Sequence, residues 1–426
     1  MMTQRSTTRD KISSANRRAG VVAEGAPWDH ERPSSMTASL PSPALAARPS
    51  PGPWTFAGIY TLESAVRALT ATVIPLQALY LLGQPRLVSL VYLAVSAASL
   101  LGGFLIPFAI ARFGRGRVYG FGASALMVFP LLLATHTIEG QIAGMAGRAL
   151  ASVCTVITFQ LYVMDYIAKK DLVRSEPLRF QMGSLIWAIG PALGVYLYER
   201  IGPVGAMVLP AFFGAMVLLN FLRLGLEERT RAKPPGNPLA NIRRFVEQPR
   251  LRLAWSIAFC RTVWWGMTMV YMPLYLVRAG EPQITGAIAS SLAVGLLFFT
   301  PVWGRVAMRF GIRLSLTTCF VTLGITTIAA AMVDNPYLAA ALIVIGGLPA
   351  GGLDGIGGIP FLRAVHSYER PQMAGIYRTY IEMGDLLSSA VYAVLLSFFD
   401  IPAVFVAAGM IAFLGATLCR YLPRSF

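Results

Sequence analysis

Twelve apolar stretches alternate with short polar segments along the chain after residue 52. Each is long enough to cross the hydrocarbon core of a bilayer as a helix, which takes about 20 residues. One polar interior segment is long, at 225–252 between the sixth and seventh stretches. The pattern predicts an all-α membrane protein with twelve transmembrane helices, at 56–82, 87–110, 117–136, 141–166, 178–199, 202–224, 253–277, 284–307, 313–333, 337–361, 374–399 and 401–421.

The composition supports this prediction. Of 426 residues, 55% are hydrophobic and 13% are charged, whereas soluble domains carry about 25% charged residues. A water-facing surface of ordinary polarity is therefore excluded, as is a wholly disordered chain. Residues 1–52 differ from the rest, because they are rich in Ser, Thr, Arg, Ala and Pro and lack the apolar core of a signal peptide. We expect a disordered cytoplasmic tail at 1–52 and a short cytoplasmic end at 422–426.

The net charge of +16 is distributed unevenly among the loops. Thirty of the 36 Lys and Arg residues lie in the tail, in every second loop and at the C-terminal end, while the other loops carry Arg86, Arg200 and Arg278. This asymmetry follows the positive-inside rule. It predicts a multi-pass protein of the plasma (inner) membrane with both termini in the cytoplasm, and it makes binding of nucleic acid an unnecessary explanation of the charge.

The chain also contains an internal repeat. The starts of the first six spans, shifted by 197 residues, fall close to the starts of the last six, and Arg112-Phe113-Gly114 recurs as Arg309-Phe310-Gly311. An even number of spans in each copy gives both copies the same orientation in the membrane. We therefore predict two six-helix halves, at 53–224 and 253–421, joined by a cytoplasmic linker at 225–252.

The loop after the second span, and its counterpart after the eighth, resemble a loop motif of the major facilitator superfamily of secondary transporters, of the form G-x-x-x-D-R-x-G-R-R. The resemblance covers residues 55–421 and implies a gating loop whose Arg binds the carbonyl end of a neighbouring helix. Ala111 and Met308 replace the acidic residue of the motif, and a basic loop that only sets topology is the alternative. The matching positions are Arg112, Gly114 and Arg115 in the first loop and Gly304, Arg309, Gly311 and Arg313 in the second.

The fifth span carries a second motif. Gly190-Pro191-Ala192-Leu193-Gly194 resembles the antiporter motif of the drug:proton exporters of the same family. Proline removes a helix hydrogen bond and bends the span, and the glycines let a neighbouring helix approach closely. The alternative is a Gly/Pro pair that an ordinary membrane helix tolerates. A third family motif, linked to proton transfer, is matched in the fourth span only at Arg148.

Seven charged side chains fall inside the predicted spans and away from their ends. A charge at that depth is costly unless it faces a partner or a polar cavity, so these groups are expected to line a substrate and proton pathway. Asp165 is set aside as a solvated residue at a cytoplasmic span end. The seven are Glu63, Arg67, Arg148, Arg261, Asp354, Glu382 and Asp385.

Two pairings are open for Glu63. It precedes Arg67 by four residues, which places both on one helix face, and the local repeat offset of 198 places it at the depth of Arg261 in the other half. Glu382 and Asp385 lie three residues apart, and the repulsion between two carboxylates favours a shared proton site. The alternative for Glu382 is a structural pair with Arg378.

The tenth and seventh spans add two further expectations. Seven glycines between 346 and 358 predict a broken helix beside Asp354 that lines a binding site, and close helix packing is the alternative. Trp264 and Trp265 lie in mid-span beside Arg261. They are expected either to line a cavity and stack on a planar ligand or to pack against lipid.

These features favour a secondary active transporter that exports a small organic compound by alternating access, coupled to protons. Proton-coupled uptake of an organic anion is an alternative, because Arg67, Arg148 and Arg261 would attract such a ligand. A non-transporting sensor or assembly factor of the same fold is another. We expect a monomer in the lipid bilayer with no cofactor, no metal site and no enzymatic activity, since the sequence shows no nucleophile–base set or cluster of metal ligands.

Overall fold

Helices make up nearly all of the chain that the computed structural model describes, namely residues 51–167, 169–226, 238–365 and 370–423, and no strand occurs in these ranges. The all-α architecture predicted for a membrane protein is confirmed. The predicted tail at 1–52 and the C-terminal end at 422–426 lie mostly outside the described residues, as does part of the linker at 225–252.

Residues 53–224, here called the first segment, contain six helices in succession. The first two are separated by Thr72 alone, and together they form one stretch of 30 residues, Pro53–Leu82. The long sixth helix turns at Gly202, where φ is 75°, and its two arms correspond to the fifth and sixth predicted spans. The helices are α1 (Pro53–Ala71), α2 (Val73–Leu82), α3 (Pro85–Phe113), α4 (Arg115–Ala134), α5 (Ile138–Tyr166) and α6 (Lys169–Leu224).

Residues 249–419, here called the second segment, follow a short helix, α7 (Pro238–Glu247). A π-helical turn at Met267–Tyr271 and a 3-10 turn at Leu296–Phe299 interrupt its first two spans. The helices are α8 (Pro249–Gly266), α9 (Met272–Arg278), α10 (Gln283–Gly295), α11 (Thr300–Phe310), α12 (Ile312–Ala331), α13 (Pro336–Ile356), α14 (Ile359–Ala364), α15 (Arg370–Arg378), α16 (Tyr380–Leu395) and α17 (Pro402–Cys419).

Nine helical stretches within the described ranges are long and apolar enough to cross a membrane. One of them, Gln181–Leu224, has 44 residues and contains the turn at Gly202. The helices α8 and α16, which carry Arg261, Glu382 and Asp385, are outside these nine. The count of twelve spans and the division into two six-helix halves stay predictions.

The two repeated loops have the same backbone. Gly114 lies between α3 and α4 with φ 85° and ψ 153°, and Gly311 lies between α11 and α12 with φ 86° and ψ 152°. A positive φ of this kind is open to glycine and strained for other residues. Each glycine N–H donates to the helix that ends there, Gly114 to Ile110 O and Gly311 to Ala307 O, both at 2.9 Å. The repeated Arg-Phe-Gly sequence thus encodes a repeated turn.

Close packing of α6 against α1 depends on the glycines of the antiporter-like motif. A Cβ atom added to Gly190 would lie 2.5 Å from Ala68 Cβ, and one added to Gly194 would overlap the carbonyl oxygen of Leu69. Only glycine permits this approach of the two backbones. The motif therefore joins α6 to α1 inside the first segment.

The glycines of α13 also serve packing. The helix continues to Ile356 and is interrupted only at Gly357 and Gly358, so the predicted break lies just after Asp354 and not around it. Within the helix, a Cβ on Gly347 would lie 2.9 Å from Ala293 Cα, and one on Gly352 would lie 2.8 Å from the Trp303 ring. The close-packing alternative describes most of this span.

We expect Gly194→Ala to lower the thermal unfolding midpoint of the detergent-purified protein, because overpacking of this kind costs about 1–3 kcal/mol. Gly58→Ala is the matched control, since it lies in α1 with nothing within 4 Å of an added Cβ. A helix gains stability from this exchange, by about 0.5–1 kcal/mol. Equal midpoints for the two variants would contradict the role assigned to Gly194.

Candidate functional site

A cavity of about 540 Å³ lies between the two segments. Its walls come from α1, α2, α3, α5 and α6 of the first segment and from α8, the π-helical turn, α10, the 3-10 turn and α16 of the second. Three ionisable side chains face it, Arg148 from α5 and Glu382 and Asp385 from α16. The aromatic side chains that line it are Tyr60, Tyr92, Trp187, Trp265 and Tyr271.

The segments are joined beside this cavity where α3 packs on α16, α6 on α10 and α2 on α9. Three hydrogen bonds between the segments are found within the described ranges. They are Ser89 Oγ with Tyr271 OH at 2.7 Å, Ala192 N to Ser291 Oγ at 3.0 Å, and Ile284 N to Glu199 Oε1 at 3.1 Å. All three lie in the same half of the spans, between their middle and the end that carries Gly83, Gly202 and Gly280. Because these bonds join the segments there, we call it the closed end.

The hydrogen bond from Ala192 is a consequence of Pro191. A proline ring inside a helix disturbs the regular hydrogen bonds around it, and here the next backbone N–H donates to a hydroxyl of another helix. Ser291 was not expected from the sequence, because nothing in the Ser290-Ser291 pair of an apolar span indicates that one hydroxyl accepts from a backbone N–H of another helix. The antiporter-like motif thus contacts both α1 and the second segment.

Glu63 is buried behind the cavity, with 1% of its side chain exposed. It accepts a hydrogen bond from Tyr119 OH at 2.6 Å, and its other oxygen lies 3.7 Å from Arg67 Nη2. The pairing within one helix is therefore the one that forms. Tyr119 was missed in the sequence, although it follows the first loop motif by one helical turn.

Arg261 is held within the second segment, so the alternative contact between Glu63 and Arg261, expected in one conformation of a transporter, is not formed in this structure. Its Nε lies 3.2 Å from Asp354 Oδ1, and its two terminal nitrogens donate to Tyr380 OH at 2.6 Å and to the Leu353 carbonyl at 3.2 Å. The repeat offset predicts depth in the membrane, but it does not determine which face of a helix a side chain occupies. A neighbouring acid on α13 takes the place proposed for Glu63.

The two tryptophans of α8 have different surroundings. Trp264 is buried in the packed core, where its Nε1 donates to Thr327 Oγ1 at 2.9 Å, so the prediction that it lines a cavity is wrong. Trp265 lines the cavity and donates from Nε1 to Asp354 Oδ2 at 2.9 Å. Adjacent helical residues point about 100° apart, and sequence alone does not distinguish which of the two faces inward.

Among the residues that the structure describes, Arg148, Glu382 and Asp385 have no ion pair within 4.0 Å and no hydrogen bond to another side chain, and the carboxylate of Glu382 interacts with its own backbone N–H. The predicted alternative of a close Arg378–Glu382 pair is not formed at this distance, although Arg378 acts electrostatically on Glu382. Arg148 and Asp385 act on each other in the same way across the cavity. The Nε atom of Arg148 is buried and has no hydrogen-bond partner.

The first loop motif forms a buried ion pair. Arg115 binds Asp165 at the end of α5, with 4% and 9% of their side chains exposed, and the guanidinium of Arg115 lies 5.5 Å from the Tyr162 ring centre. Setting Asp165 aside as a solvated residue was wrong, because the turn at Gly114 brings Arg115 under the end of α5. The acid that the loop itself lacks is thus supplied by another helix.

Arg112 and Arg309, one in each loop, are exposed. Arg112 lies over its neighbour Phe113, and Arg309 lies over Phe310 in the same manner. The position of Arg115 in the second copy, 197 residues later, is the buried Ile312. The second loop therefore fits the alternative of a basic turn that sets topology, while the first contains an anchored arginine.

The chain is similar to known proteins both in sequence pattern and in fold. The family profile described as Major Facilitator Superfamily matches residues 56–295 and 254–425. No curated protein matches the sequence.

Several solved structures share the fold. The nucleoside transporter NupG is 15% identical with a TM-score of 0.68, covering 87% of this chain and 99% of that one. A POT family transporter in complex with a thioalcohol-conjugated peptide is 11% identical with a TM-score of 0.69, covering 86% and 94%. A bacterial homologue of the iron transporter ferroportin in an inward-facing state is 14% identical with a TM-score of 0.66, covering 87% and 98%.

A double-mutant cycle distinguishes the two partners considered for Arg261. We expect Arg261→Gln and Asp354→Asn to be coupled by roughly 0.5–3 kcal/mol in the free energy of unfolding, as contacting residues are. The matched cycle of Arg261→Gln with Glu63→Gln is expected to be additive within about 0.5 kcal/mol. Chemical unfolding in detergent measures both cycles, and strong coupling in the second would contradict the assignment.

Proposed function

We propose that this chain, which belongs to the Major Facilitator Superfamily, exports a small organic compound in exchange for protons by alternating access. It is a secondary transporter and not an enzyme. The observation that carries the proposal is the cavity between the two segments. The segments are hydrogen-bonded to each other beside the cavity. Arg148, Glu382 and Asp385 line it and have no close ion-pair partner. Ionisable groups that line a cavity at membrane depth are typical of substrate and proton pathways.

The orientation follows from the loop charges. With the positive-inside rule, the turns at Gly114 and Gly311 face the cytoplasm and the closed end faces the opposite side. In this orientation the hydrogen bonds between the segments close the cavity toward the outside of the plasma (inner) membrane. Export requires that the hydrogen bonds at Ser89, Ala192 and Ile284 break and that contacts form at the other end.

Proton exchange assigns a role to Asp385. As a carboxylate in the cavity it attracts a cationic group of the substrate from the cytoplasmic side. After the cavity opens outward, a proton binds the carboxylate and the substrate leaves, and the protonated, neutral side chain allows the return step. Glu63, buried beside Tyr119 and Arg67, is a second candidate for the coupled proton.

The direction of transport rests on Gly190, Pro191 and Gly194. The resemblance to an antiporter motif points to export, and the contacts of this motif with Leu69 and Ser291 place it where α6 meets both α1 and the second segment. A bend at this point would control the closed end. We further propose that the protein works as a monomer.

Uptake of an organic anion is less well supported. Of the three arginines that motivated it, Arg67 pairs with Glu63 and Arg261 pairs with Asp354. Arg148 remains to face the cavity, together with two carboxylates. The structural neighbours are described as a nucleoside transporter, a peptide transporter and a bacterial homologue of an iron transporter, so the shared fold does not select a substrate.

Everted membrane vesicles test the proposal. The vesicles are acidified by respiration, and a pH-sensitive dye reports proton release when aromatic cations, zwitterions or anions are added in turn. We expect at least one class to release protons through the wild-type protein, with loss of at least tenfold in Asp385→Asn. Glu247→Gln, on the exposed helix α7, is the matched control and should behave as wild type.

Two results would contradict the proposal. One is undiminished proton release in Asp385→Asn and Glu63→Gln, which would remove both candidate proton sites. The other is transport of anions alone, driven inward in right-side-out vesicles, which would support the alternative. Stable binding of a partner protein with no transport of any class would favour the sensor.

A further inference from the structure

Among the seven membrane-embedded ionisable groups, four already have partners. Glu63 and Arg67 form one pair and Arg261 and Asp354 form another. These charges are compensated by protein alone and need no ligand. The charges that a ligand can meet are those that face the cavity.

Arg148 and Asp385 are such a set. They line the same cavity from α5 and α16 and act on each other electrostatically, yet their charged atoms are more than 4.0 Å apart in the described structure. The Nε atom of Arg148 is buried with no hydrogen-bond partner, and a buried polar group left unsatisfied costs about 1–3 kcal/mol or more. A gap bounded by opposite charges thus lies across the cavity.

The third cavity charge has an arginine of its own nearby on the preceding turn. Glu382 is subject to the field of Arg378, four residues earlier. The groups that remain for a ligand are one guanidinium and one carboxylate. A ligand with a single charge would neutralise one of them and leave the other without a partner.

We propose that the cavity binds a zwitterion with a flat apolar body, whose anionic group meets Arg148 and whose cationic group meets Asp385. This inference rests on the proposed transport function and names its substrate class. Guanidinium binds carboxylate or phosphate in a bidentate manner. Trp187, Trp265 and Tyr92 line the space and supply aromatic surface for the body of the ligand.

The volume agrees with this class. Small-molecule sites typically enclose about 300–1,000 Å³, and about 540 Å³ is enough for an aromatic amino acid or a short peptide. Selectivity follows from the charge balance, because a singly charged analogue leaves the opposing charge of the cavity wall without a partner. The cavity therefore discriminates by the number and sign of charges as well as by shape.

Three forms of one compound test the inference. The dipeptide phenylalanyl-alanine is a zwitterion, its N-acetyl form is an anion, and its C-terminal amide is a cation. Binding to the purified full chain is measured by calorimetry in detergent. We expect the zwitterion to bind at least tenfold more tightly than either derivative.

Variants of Arg148 and Asp385 test which charged end of the dipeptide each residue binds. In Arg148→Gln the zwitterion should bind no better than the amide does to wild type, and in Asp385→Asn no better than the N-acetyl form does. Arg148→Lys keeps the charge and should retain a preference for the zwitterion, which separates a charge effect from loss of folding. Glu247→Gln is the control with unchanged affinities.

The inference is overturned if the amide or the N-acetyl form binds as tightly as the dipeptide, if none of the three binds, or if the two neutral variants leave the preference intact. These outcomes are distinct from failure of the proposed function. A singly charged compound that releases protons from everted vesicles would preserve the exporter and refute the zwitterion. Absence of proton release with every class would refute the exporter.

Discussion

A charge inside the hydrocarbon core must meet either a partner or a polar cavity, and this requirement organises the molecule. It divides the seven charged groups of the predicted spans into two sets. One set is compensated inside a single segment, by Glu63 with Arg67 and by Arg261 with Asp354. The other set, on α5 and α16, faces the cavity. In the first set Arg261 and Asp354 join α8 to α13, and Glu63 and Arg67 lie on one face of α1; the second set lines the space where the proposed substrate would bind.

The same division bears on how the two segments can move. The ion pairs and the glycine contacts of α1 with α6 lie within a segment and need not change during transport. The links between the segments are neutral or singly charged hydrogen bonds at Ser89, Ala192 and Ile284. Each such bond contributes about 0.5–1.5 kcal/mol, or up to about 3 where one partner is charged. Opening the closed end therefore costs little polar energy compared with breaking a buried ion pair, and the segments can move as preformed bodies.

Much of the fold was predictable, because hydropathy indicates membrane spans and glycine indicates turns. The repeated Arg-Phe-Gly sequence correctly predicted turns at Gly114 and Gly311. The partners were harder to predict, because depth along a helix follows from the sequence but rotation around it does not. Glu63 and Arg261 share a depth and have different partners, and Trp264 and Trp265 are adjacent and face different surroundings. Asp165 was misjudged for a related reason, since its position at a span end did not reveal the arginine brought to it by the next turn.

Trp265 is the residue at which the two sets of charges meet. Its ring lines the cavity, and its Nε1 donates to Asp354, which pairs with Arg261. Arg261 also donates to the Leu353 carbonyl, just before the break at Gly357. The side chains of Trp265, Asp354 and Arg261 therefore connect the cavity wall to the end of α13. A ligand that displaces the ring must stretch its hydrogen bond to Asp354 or move that carboxylate with it. Displacement of the ring would therefore be felt at Asp354 on α13, a helix that contributes no residue to the cavity wall.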